Sequence, residues 1–481
     1  MRTPLLTFTI AFTATLFSEE TLIKHRLKSD KTIKYRVSPK SVESLSEALT
    51  EGIFYGRIRS NSFIYNRDGD DNDYVISAFG GSIIYRSGYL NGFGFTTALY
   101  TSNNLLNIGD IPFDKIKSAK DTFSRYLVAK SGSYSLNTIG QIFLEYRGDG
   151  VNLKVGRFLI ESMITSSNDS KMIPNAFEGV LLKVGNLYGT KLQVGYLTKQ
   201  KLRDHSNFHH LLAYGDSEDD PANIWRENDD SSMNRGIRVS ELKSRGIDDR
   251  MVIFDIKNSY FEDTTVRFNY SFLDRLLSYS IFEINRAFHI GGDITIIPSF
   301  KVMYQFDNGV GEFANANLKG DIRGYRDVSS LDTNMFASRV DLTDRNFRVR
   351  FGYSRVADKA DFIVPWRAFP SRGYTRAMGQ TNWYANTESY MVRGDLFTLK
   401  DIRFTVRYAI QNFDDEKVAV QSDSRVFTFD ILNRRFLGFD NLYMKLRFAN
   451  VIGDGNTISS DGLIKSDPSY REARFELNYL F

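Results

Sequence analysis

One alternating pattern recurs along almost the whole chain and strongly limits what it can fold into. In the segment 401–411, every second residue from 402 to 410 is apolar, and Arg403 and Arg407 stand between apolar neighbours. Side chains of a β-strand point alternately to its two faces, so this segment has one apolar and one polar face. The same period of two recurs at 266–272, 347–353, 442–448 and 475–481. The sequence therefore predicts an all-β protein.

The alternating segments number about 18, an even number, as bacterial outer-membrane barrels require. They span residues 52–66, 73–86, 90–101, 133–148, 151–162, 178–186, 189–201, 250–258, 263–272, 276–288, 293–306, 334–343, 346–356, 387–397, 400–412, 423–434, 440–452 and 469–481. One soluble sheet of this size would leave open edges and need an unusually large core. In lipid, closure into a barrel satisfies every backbone group. We therefore predict a transmembrane antiparallel β-barrel over 52–481, apolar toward lipid and polar toward the lumen.

The connections between these segments alternate in length. Short ones lie near 87–88, 148–150, 185–189, 260–263, 291–292 and 342–345. Long ones fall at 102–132, 163–177, 202–249, 307–333 and 357–386. Short periplasmic turns and long extracellular loops are typical of outer-membrane barrels.

The N-terminal segment differs from the rest of the chain. Residues 1–18 combine Arg2 with an apolar run and end in small or polar residues, a secretory signal pattern. The alternative is an uncleaved anchor. Residues 19–51 are rich in Lys and Arg and poor in apolar residues, so we predict a basic periplasmic lead-in that is solvated and flexible. Export to the Gram-negative outer membrane follows from these features and the predicted barrel.

Several kinds of function have little support in the sequence. The chain has no cysteine, which excludes thiolate chemistry, and a net charge of +4 gives no reason to expect a nucleic-acid partner. The Asp-rich loop 66–73 lacks the glutamate an EF-hand requires at its twelfth position, where Phe79 stands. We interpret loop 202–249, with its three histidines, as a surface loop. We predict no metal, no cofactor and no catalytic residue.

Residues 151–179 carry a more specific signal. Gly156 and Arg157 end a strand, residues 168–175 read Asn-Asp-Ser-Lys-Met-Ile-Pro-Asn, and Phe-Glu-Gly follows at 177–179. This resembles the OprD family of substrate-selective porins, in which such motifs surround the third extracellular loop. Lys171 stands where the family usually has Arg, which keeps the charge but loses bidentate geometry. Loop 357–386 resembles the seventh loop of the Campylobacterota-type branch.

The resemblance implies an 18-stranded barrel in which the third and seventh loops, near 163–177 and 357–386, fold inward to form a constriction. The constriction residues it indicates are Asn168, Asp169, Ser170, Lys171, Met172 and Pro174. It also implies passive, selective uptake of small anionic or zwitterionic solutes, such as amino acids or organic acids.

The alternation places many basic side chains on the lumen face, mostly on later strands. They are Arg267, Lys301, Arg339, Arg348, Arg350, Arg393, Arg403, Arg407, Lys445, Arg447 and Arg474. A strip of one charge sign in a narrow tube guides anions, and this set resembles the basic ladder of the OprD family. In the alternative interpretation these cations pair with the inward acids Glu145, Asp341, Asp395, Asp430, Glu472 and Glu476, and only solvate the lumen.

The chain ends on an alternating aromatic strand that includes Tyr479 and Phe481. It looks like the signal read by the outer-membrane barrel assembly machinery. We also expect contact with the bilayer and with lipopolysaccharide, and a monomer or weak trimer. A structural or adhesive surface protein is the main competing function; a barrel hydrolase has no recognisable nucleophile and base.

Overall fold

The computed structural model describes residues 25–29, 31–67, 73–108, 116–117, 119–216, 232–378 and 381–481. The predicted signal peptide at 1–18 and most of the Asp-rich loop lie outside these residues. Eighteen strands form the wall of a closed barrel.

We number the wall strands in chain order. They are β1 (Ile53–Asn66), β2 (Tyr74–Arg86), β3 (Phe93–Ile108), β4 (Leu136–Gly148), β5 (Val151–Phe158), β6 (Ala176–Leu187), β7 (Thr190–Lys201), β8 (Met251–Asn258), β9 (Thr264–Leu273), β10 (Leu277–Arg286), β11 (Ile294–Asp307), β12 (Thr333–Thr343), β13 (Phe347–Val356), β14 (Glu388–Leu399), β15 (Ile402–Asn412), β16 (Ser424–Asn433), β17 (Leu442–Gly453) and β18 (Tyr470–Leu480). Phe288–Gly291 also pairs with β11, beyond the end of β10.

Each wall strand runs antiparallel to its neighbours, and the last strand closes the ring on the first. The closing ladder runs from Arg471 opposite Asn66 to Leu480 opposite Arg57. The predicted all-β antiparallel barrel of about 18 strands is confirmed, and every predicted strand has a counterpart in the wall.

The strands present apolar side chains outward and polar ones inward. In β15, Val406 and Tyr408 are 40% and 42% exposed, whereas Thr405 is 3% exposed. Phe351 and Phe448 are likewise exposed on β13 and β17. An exposed apolar band on a closed barrel belongs in lipid, because only there does its burial lower the free energy.

Loops on the two rims differ in length, as the sequence predicted. At one rim, strands are joined by short turns such as 149–150 and 344–346. At the other rim lie the second (109–135), third (159–175), fourth (202–250), sixth (308–332) and seventh (357–387) loops, while the fifth, at 274–276, is a tight turn.

Short helices occur at Leu45–Thr50 (α1), at Arg125–Ser131 in the second loop (α2) and at Val239–Ser244 in the fourth (α3). Among the described residues, no helix has the length and apolar character needed to cross a membrane.

The third, fourth and seventh loops pack together and against the inner wall. Trp366 is fully buried and donates a hydrogen bond from Nε1 to the carbonyl of Leu211, with an N···O distance of 3.0 Å. The amide of Ser166 donates to the carbonyl of Trp366 at 2.8 Å. Tyr279, on the inner face of β10, donates to the carbonyl of Ile363 at 2.5 Å. The loops therefore form an apolar core within one end of the barrel.

The family motifs around the third loop meet across β5 and β6. Gly156 lies opposite Gly179, and Arg157 lies opposite Glu178, with Nε 3.0 Å from a carboxylate oxygen. Gly156 has φ +126°, and a Cβ there would lie 2.4 Å from the carbonyl oxygen of Ile142. Glycine is required because any side chain would collide with the neighbouring strand.

The N-terminal segment departs from the prediction of a solvated, flexible lead-in. His25–Leu27 pairs with Ile33–Tyr35 in a small antiparallel ribbon. Tyr35 stacks on Tyr55, an inward-facing residue of β1, with ring centroids 4.6 Å apart. Aromatic stacking holds this segment inside the barrel, so the flexible-tail interpretation is wrong for residues 25–29 and 31–35.

Candidate functional site

The basic side chains predicted for the lumen face gather around three carboxylates. Arg348, Arg393 and Arg403 all bond Asp395, with N···O distances between 2.7 and 3.1 Å. The hydroxyl of Thr405 donates to the same carboxylate at 2.7 Å. Asp395 is therefore the common acceptor of three guanidinium groups.

Asp430 of β16 has the same role for cations of β15 and β17. Arg447 bonds it through two nitrogens at 2.5 and 2.6 Å, and Arg407 approaches to 3.2 Å. Lys445 lies 3.6 Å away. Three cations again share one carboxylate.

Asp341 accepts the bidentate bond of Arg350 at 2.5 and 2.7 Å and lies 3.6 Å from Arg339. Both arginines also donate to the carbonyl of Gly373 in the seventh loop, at 2.7 and 2.8 Å. Eight wall cations thus share three carboxylates, so these three clusters carry a net positive charge although each cation has a partner.

Two cavities lie along one side of the lumen. The larger, about 1250 Å³, is lined by inner residues of β4 to β13 and by short-turn residues such as Asp149. The smaller, about 380 Å³, lies between residues 161–163 of the third loop, residues 368–373 of the seventh and the wall of β9 to β12. The two cavities share Glu161, Arg267, Glu283 and Arg339 and are therefore adjacent.

The smaller cavity brings cations and carboxylates face to face. Glu161 accepts from the Ser166 hydroxyl at 3.0 Å and the Ser167 amide at 2.6 Å, and its carboxylate lies 3.8 Å from Arg372. Across from it, Lys301 donates to the carbonyl of Pro370 at 2.8 Å, which fixes the seventh loop against the wall.

Neither Glu161 nor Arg372 was predicted from the sequence as a site residue. Residue 161 falls at a predicted strand end, and Arg372 is one of several arginines in the seventh loop. Their role depends on two loops meeting in space, for which a single sequence gives no signal.

The predicted constriction residues 168–174 lie inside the barrel but line neither cavity. Asp169 is buried and ion-paired with Arg57 and with Arg59, the latter at 2.8 Å. Lys171 is ion-paired with Asp121 of the second loop and lies 3.2 Å from Asp204 of the fourth.

Their neighbours in the same loop are held by contacts within the loop and with the wall. Asn168 has a positive φ of 38°, and the Ser170 hydroxyl bonds its side chain at 2.9 Å. Met172 is buried in an apolar cluster, and the carbonyl of Pro174 accepts from Lys201 at 2.7 Å. These residues anchor the third loop, while 161–163 face the passage.

Only some of the predicted basic ladder lines the two cavities. Arg267, Lys301, Arg339, Arg348 and Arg350 do, whereas Arg393, Arg403, Arg407, Lys445 and Arg447 lie further round the wall. The basic residues outside the cavities lie on the part of the wall where the loops and the N-terminal ribbon fill the lumen.

The histidines of the fourth loop are more deeply placed than the surface-loop interpretation suggested. His205 and His209 are buried, with the Nδ1 of the first 2.6 Å from the Nε2 of the second. Burial and the neighbouring imidazole hold the pKa of His209 well below its ordinary value. Within the described ranges, no group of three or more His, Asp or Glu side chains is arranged to hold a metal ion.

The last residue joins the seam of the barrel. Gly56 and Phe481 exchange backbone hydrogen bonds at 2.9 and 3.2 Å, and the outward Tyr479 is 45% exposed. The C-terminal strand is thus paired with β1 to its final residue.

A closed 18-stranded barrel with an apolar exterior, charged lumen and inward-folded loops defines a porin class of outer-membrane protein. A family model described as outer membrane porin, OprD family, matches residues 138–396. That match covers more than half of the chain, and the chain belongs to the OprD family of outer membrane porins.

Solved structures share this fold at low identity. OpdQ of Pseudomonas aeruginosa matches with a TM-score of 0.65 and 16% identity, over 91% of this chain and 99% of its own. OpdK of the same organism gives 0.67 and 14%, over 90% and 99%. OccAB3 of Acinetobacter baumannii gives 0.67 and 15%, over 90% and 100%. No curated protein sequence matches the chain. None of these matches tests the Campylobacterota-type branch, which stays a prediction.

Proposed function

We propose that the protein is a passive, substrate-selective channel for small carboxylate-bearing solutes, either anions or zwitterions such as amino acids. The observation that carries this proposal is the 380 Å³ cavity between the third and seventh loops. There the four cations Arg267, Lys301, Arg339 and Arg372 surround a space that also contains the two carboxylates Glu161 and Glu283. A narrow, low-dielectric site rich in cations concentrates anions.

The arrangement also supports release of the solute. Arg339 lines both cavities, and Arg350 and Arg348 line the larger one. The carboxylate of a passing solute therefore meets these donors one after another. Each guanidinium already shares a carboxylate, and those of Arg339 and Arg348 are partly solvated, so each of these contacts contributes about 1 kcal/mol or less. Weak, repeated binding allows exit as well as entry.

The described residues of the fourth loop favour a channel over an adhesive role. Leu211, Leu212 and Ile237 are fully buried against the other loops, so these residues help to close the barrel mouth. We further propose export through a signal peptide at 1–18, recognition of Tyr479 and Phe481 by the barrel assembly machinery, lipopolysaccharide contact, and a monomeric or weakly trimeric state. Porins of this family are channels, and we propose no catalytic activity.

The test is the reversal potential in a salt gradient across planar bilayers. The variant Arg267→Gln with Arg339→Gln removes two cations from both cavities. We expect its anion-to-cation permeability ratio to fall by about fivefold, equivalent to about 1 kcal/mol.

Arg403→Gln with Arg407→Gln is the matched comparison, because it removes two wall cations outside both cavities. We expect a smaller change. A wild-type protein without conductance would refute the channel, and equal effects of the two double variants would show that position along the wall does not matter.

A further inference from the structure

The N-terminal ribbon of residues 25–29 and 31–35 is ordered by contacts with the inside of the barrel. Its strands His25–Leu27 and Ile33–Tyr35 are joined by hydrogen bonds between Lys28 and residues 31 and 32, at 3.0 and 2.9 Å. A two-stranded ribbon of this size is not stable alone in water. Its order must come from packing against the barrel wall.

The apolar side of the ribbon packs on inward residues of the first strands. Tyr35 lies parallel to Tyr55, with an interplanar angle of 6°. Phe54 and Ile58, outward residues of β1 on either side of Tyr55, are 67% and 47% exposed. Tyr55 therefore faces the lumen, and the ribbon lies inside the barrel.

Polar contacts fix the ribbon to the same inner surface. Arg57 donates from Nη1 to the carbonyl of Lys31 at 2.8 Å, and the ammonium group of Lys31 lies 3.5 Å from Glu476 of β18. Arg57 is also ion-paired with Asp169. One buried guanidinium thus holds both the ribbon and the third loop.

The ribbon borders the larger cavity on one side, where Lys28 approaches Lys183. The cavities are lined by residues of β4 to β13 and of the third and seventh loops, whereas the polar contacts of the ribbon are with β1, β17 and β18. The ribbon and the tip of the third loop fill the space beside these strands, and the open space is off-centre as a result.

We propose that the ribbon is a releasable plug of the lumen. Docked, it closes the side of the barrel next to β18 and β1. Released, it widens the short-turn half of the lumen beside Lys445, Arg447 and Glu476, while the third loop stays anchored to Arg57 and Arg59.

The charge of the plug makes its release sensitive to voltage. Residues 25–35 contain four Lys or Arg and one Asp. A transmembrane voltage exerts a force on such a net positive segment. A negative potential on the short-turn side draws the plug out of the barrel, and the opposite polarity holds it in.

Single-channel conductance of the full chain and of a variant lacking residues 25–35 tests the plug. We expect conductance to rise by about 1.5-fold in the deletion, because the ribbon no longer narrows the short-turn half of the lumen. Lys40→Ala, which removes an exposed lysine outside the ribbon, is the control and should conduct as wild type. A correctly folded deletion with wild-type conductance would overturn the proposal.

A second measurement does not depend on the deletion folding. The chain has no cysteine, so Thr32→Cys introduces a single thiol at a position that is 5% exposed. We expect a charged thiol reagent added on the short-turn side to react about tenfold faster at the releasing polarity than at the opposite one. Lys40→Cys should react equally at both polarities.

Equal rates at both polarities for Thr32→Cys would refute voltage-driven release. The plug proposal rests on the proposed channel function, and different results would refute the two proposals. A wild-type protein that does not conduct refutes the channel, while a conducting protein with an unreactive residue 32 refutes only the plug.

Discussion

At the residue scale, carboxylates shared between strands decide how the lumen charge is distributed. Asp395 lies opposite Arg348 on β13 and opposite Thr405 on β15. The alternation in the sequence predicted that these residues face the same side. It did not predict which cations share which carboxylate, because that depends on the register between strands. The two interpretations of the wall, ladder or ion pairs, therefore each describe some of its residues.

His209 makes the fourth loop sensitive to acid. Its Nδ1 lies 2.8 Å from the carbonyl of His210 and so carries the proton, which leaves Nε2 to accept from the Nδ1 of His205. Protonating Nε2 would place two N–H donors face to face in a buried site. Asp249 pairs with the neighbouring His210 at 3.0 Å.

We expect this arrangement to lose stability below the ordinary histidine range. Because the pKa of His209 is lowered in the folded loop, the unfolded loop binds the proton more readily. The stabilisation is present above about pH 6.5 and is lost as the pH falls. Hydrogen-exchange protection of residues 200–210, corrected for intrinsic rates, should decrease between about pH 8 and about pH 5.5.

Two variants make this prediction specific. His209→Gln should remove most of the pH dependence, and His289→Gln, at a side chain 64% exposed, should leave it unchanged. Equal protection of the wild-type loop at both pH values would contradict the prediction.

At the scale of elements, the strands were predictable and the loop contacts were not. The predicted strand 90–101 corresponds to β3, which continues to Ile108. The run 101–104 is entirely polar, and Leu105 has no partner opposite β2 because the register shifts there, which explains the shorter prediction. The ribbon strands of three residues are too short to show any period, and contacts with distant residues such as Tyr55, Arg57 and Glu476 order them.

The third loop illustrates the same limit. The family motif located it correctly, yet residues 168–174 anchor it to β1 and 161–163 face the passage. The anchor joins Asp169 to Arg57 and Arg59, residues more than 100 positions away. Alternation shows that both arginines face the lumen but gives no partner for them.

Removing the anchor should loosen the third loop. Asp169→Asn removes the carboxylate that pairs with two buried guanidinium groups, although Arg59 still forms its ion pair with Glu476 at 2.9 Å. We expect a loss of about 3 kcal/mol in local stability. Open-channel current noise should increase, and the loop should become more susceptible to protease.

Asp274→Asn is the control, because Asp274 is an exposed acid in the fifth loop with only a weak ion pair to Arg275. Unchanged noise and protease resistance in Asp169→Asn would show that the apolar packing around Met172 holds the loop without the ion pairs.

At the scale of the whole molecule, the constraint that lipid places on the backbone explains why the fold could be predicted from a single sequence. In the membrane interior no water is present to bond the backbone, so each strand must pair with a neighbour on both of its edges. An even number of alternating segments is therefore consistent with a closed barrel. The off-centre position of the cavities could not be predicted in this way. It results from which side of the lumen the ribbon and the third loop fill.

Closure also gives the terminal residue a structural role at the seam. Gly56 lies against the Phe481 ring, and a Cβ at residue 56 would approach that ring to 2.9 Å and the Ser82 carbonyl oxygen to 2.1 Å. Glycine at this position lets the last residue pair with β1. The ladder from Arg471 to Leu480 does not depend on Phe481.

Deleting Phe481 should therefore impair assembly more than conductance. The deletion removes the two backbone bonds to Gly56 and the terminal aromatic ring, while the rest of the closing ladder is kept. We expect less of the heat-modifiable form in the outer membrane, with single-channel conductance of the assembled fraction equal to wild type. Phe439→Ala, at an exposed phenylalanine on the same rim, should assemble normally. Normal outer-membrane levels of the deletion would show that the preceding alternating residues suffice for recognition and closure.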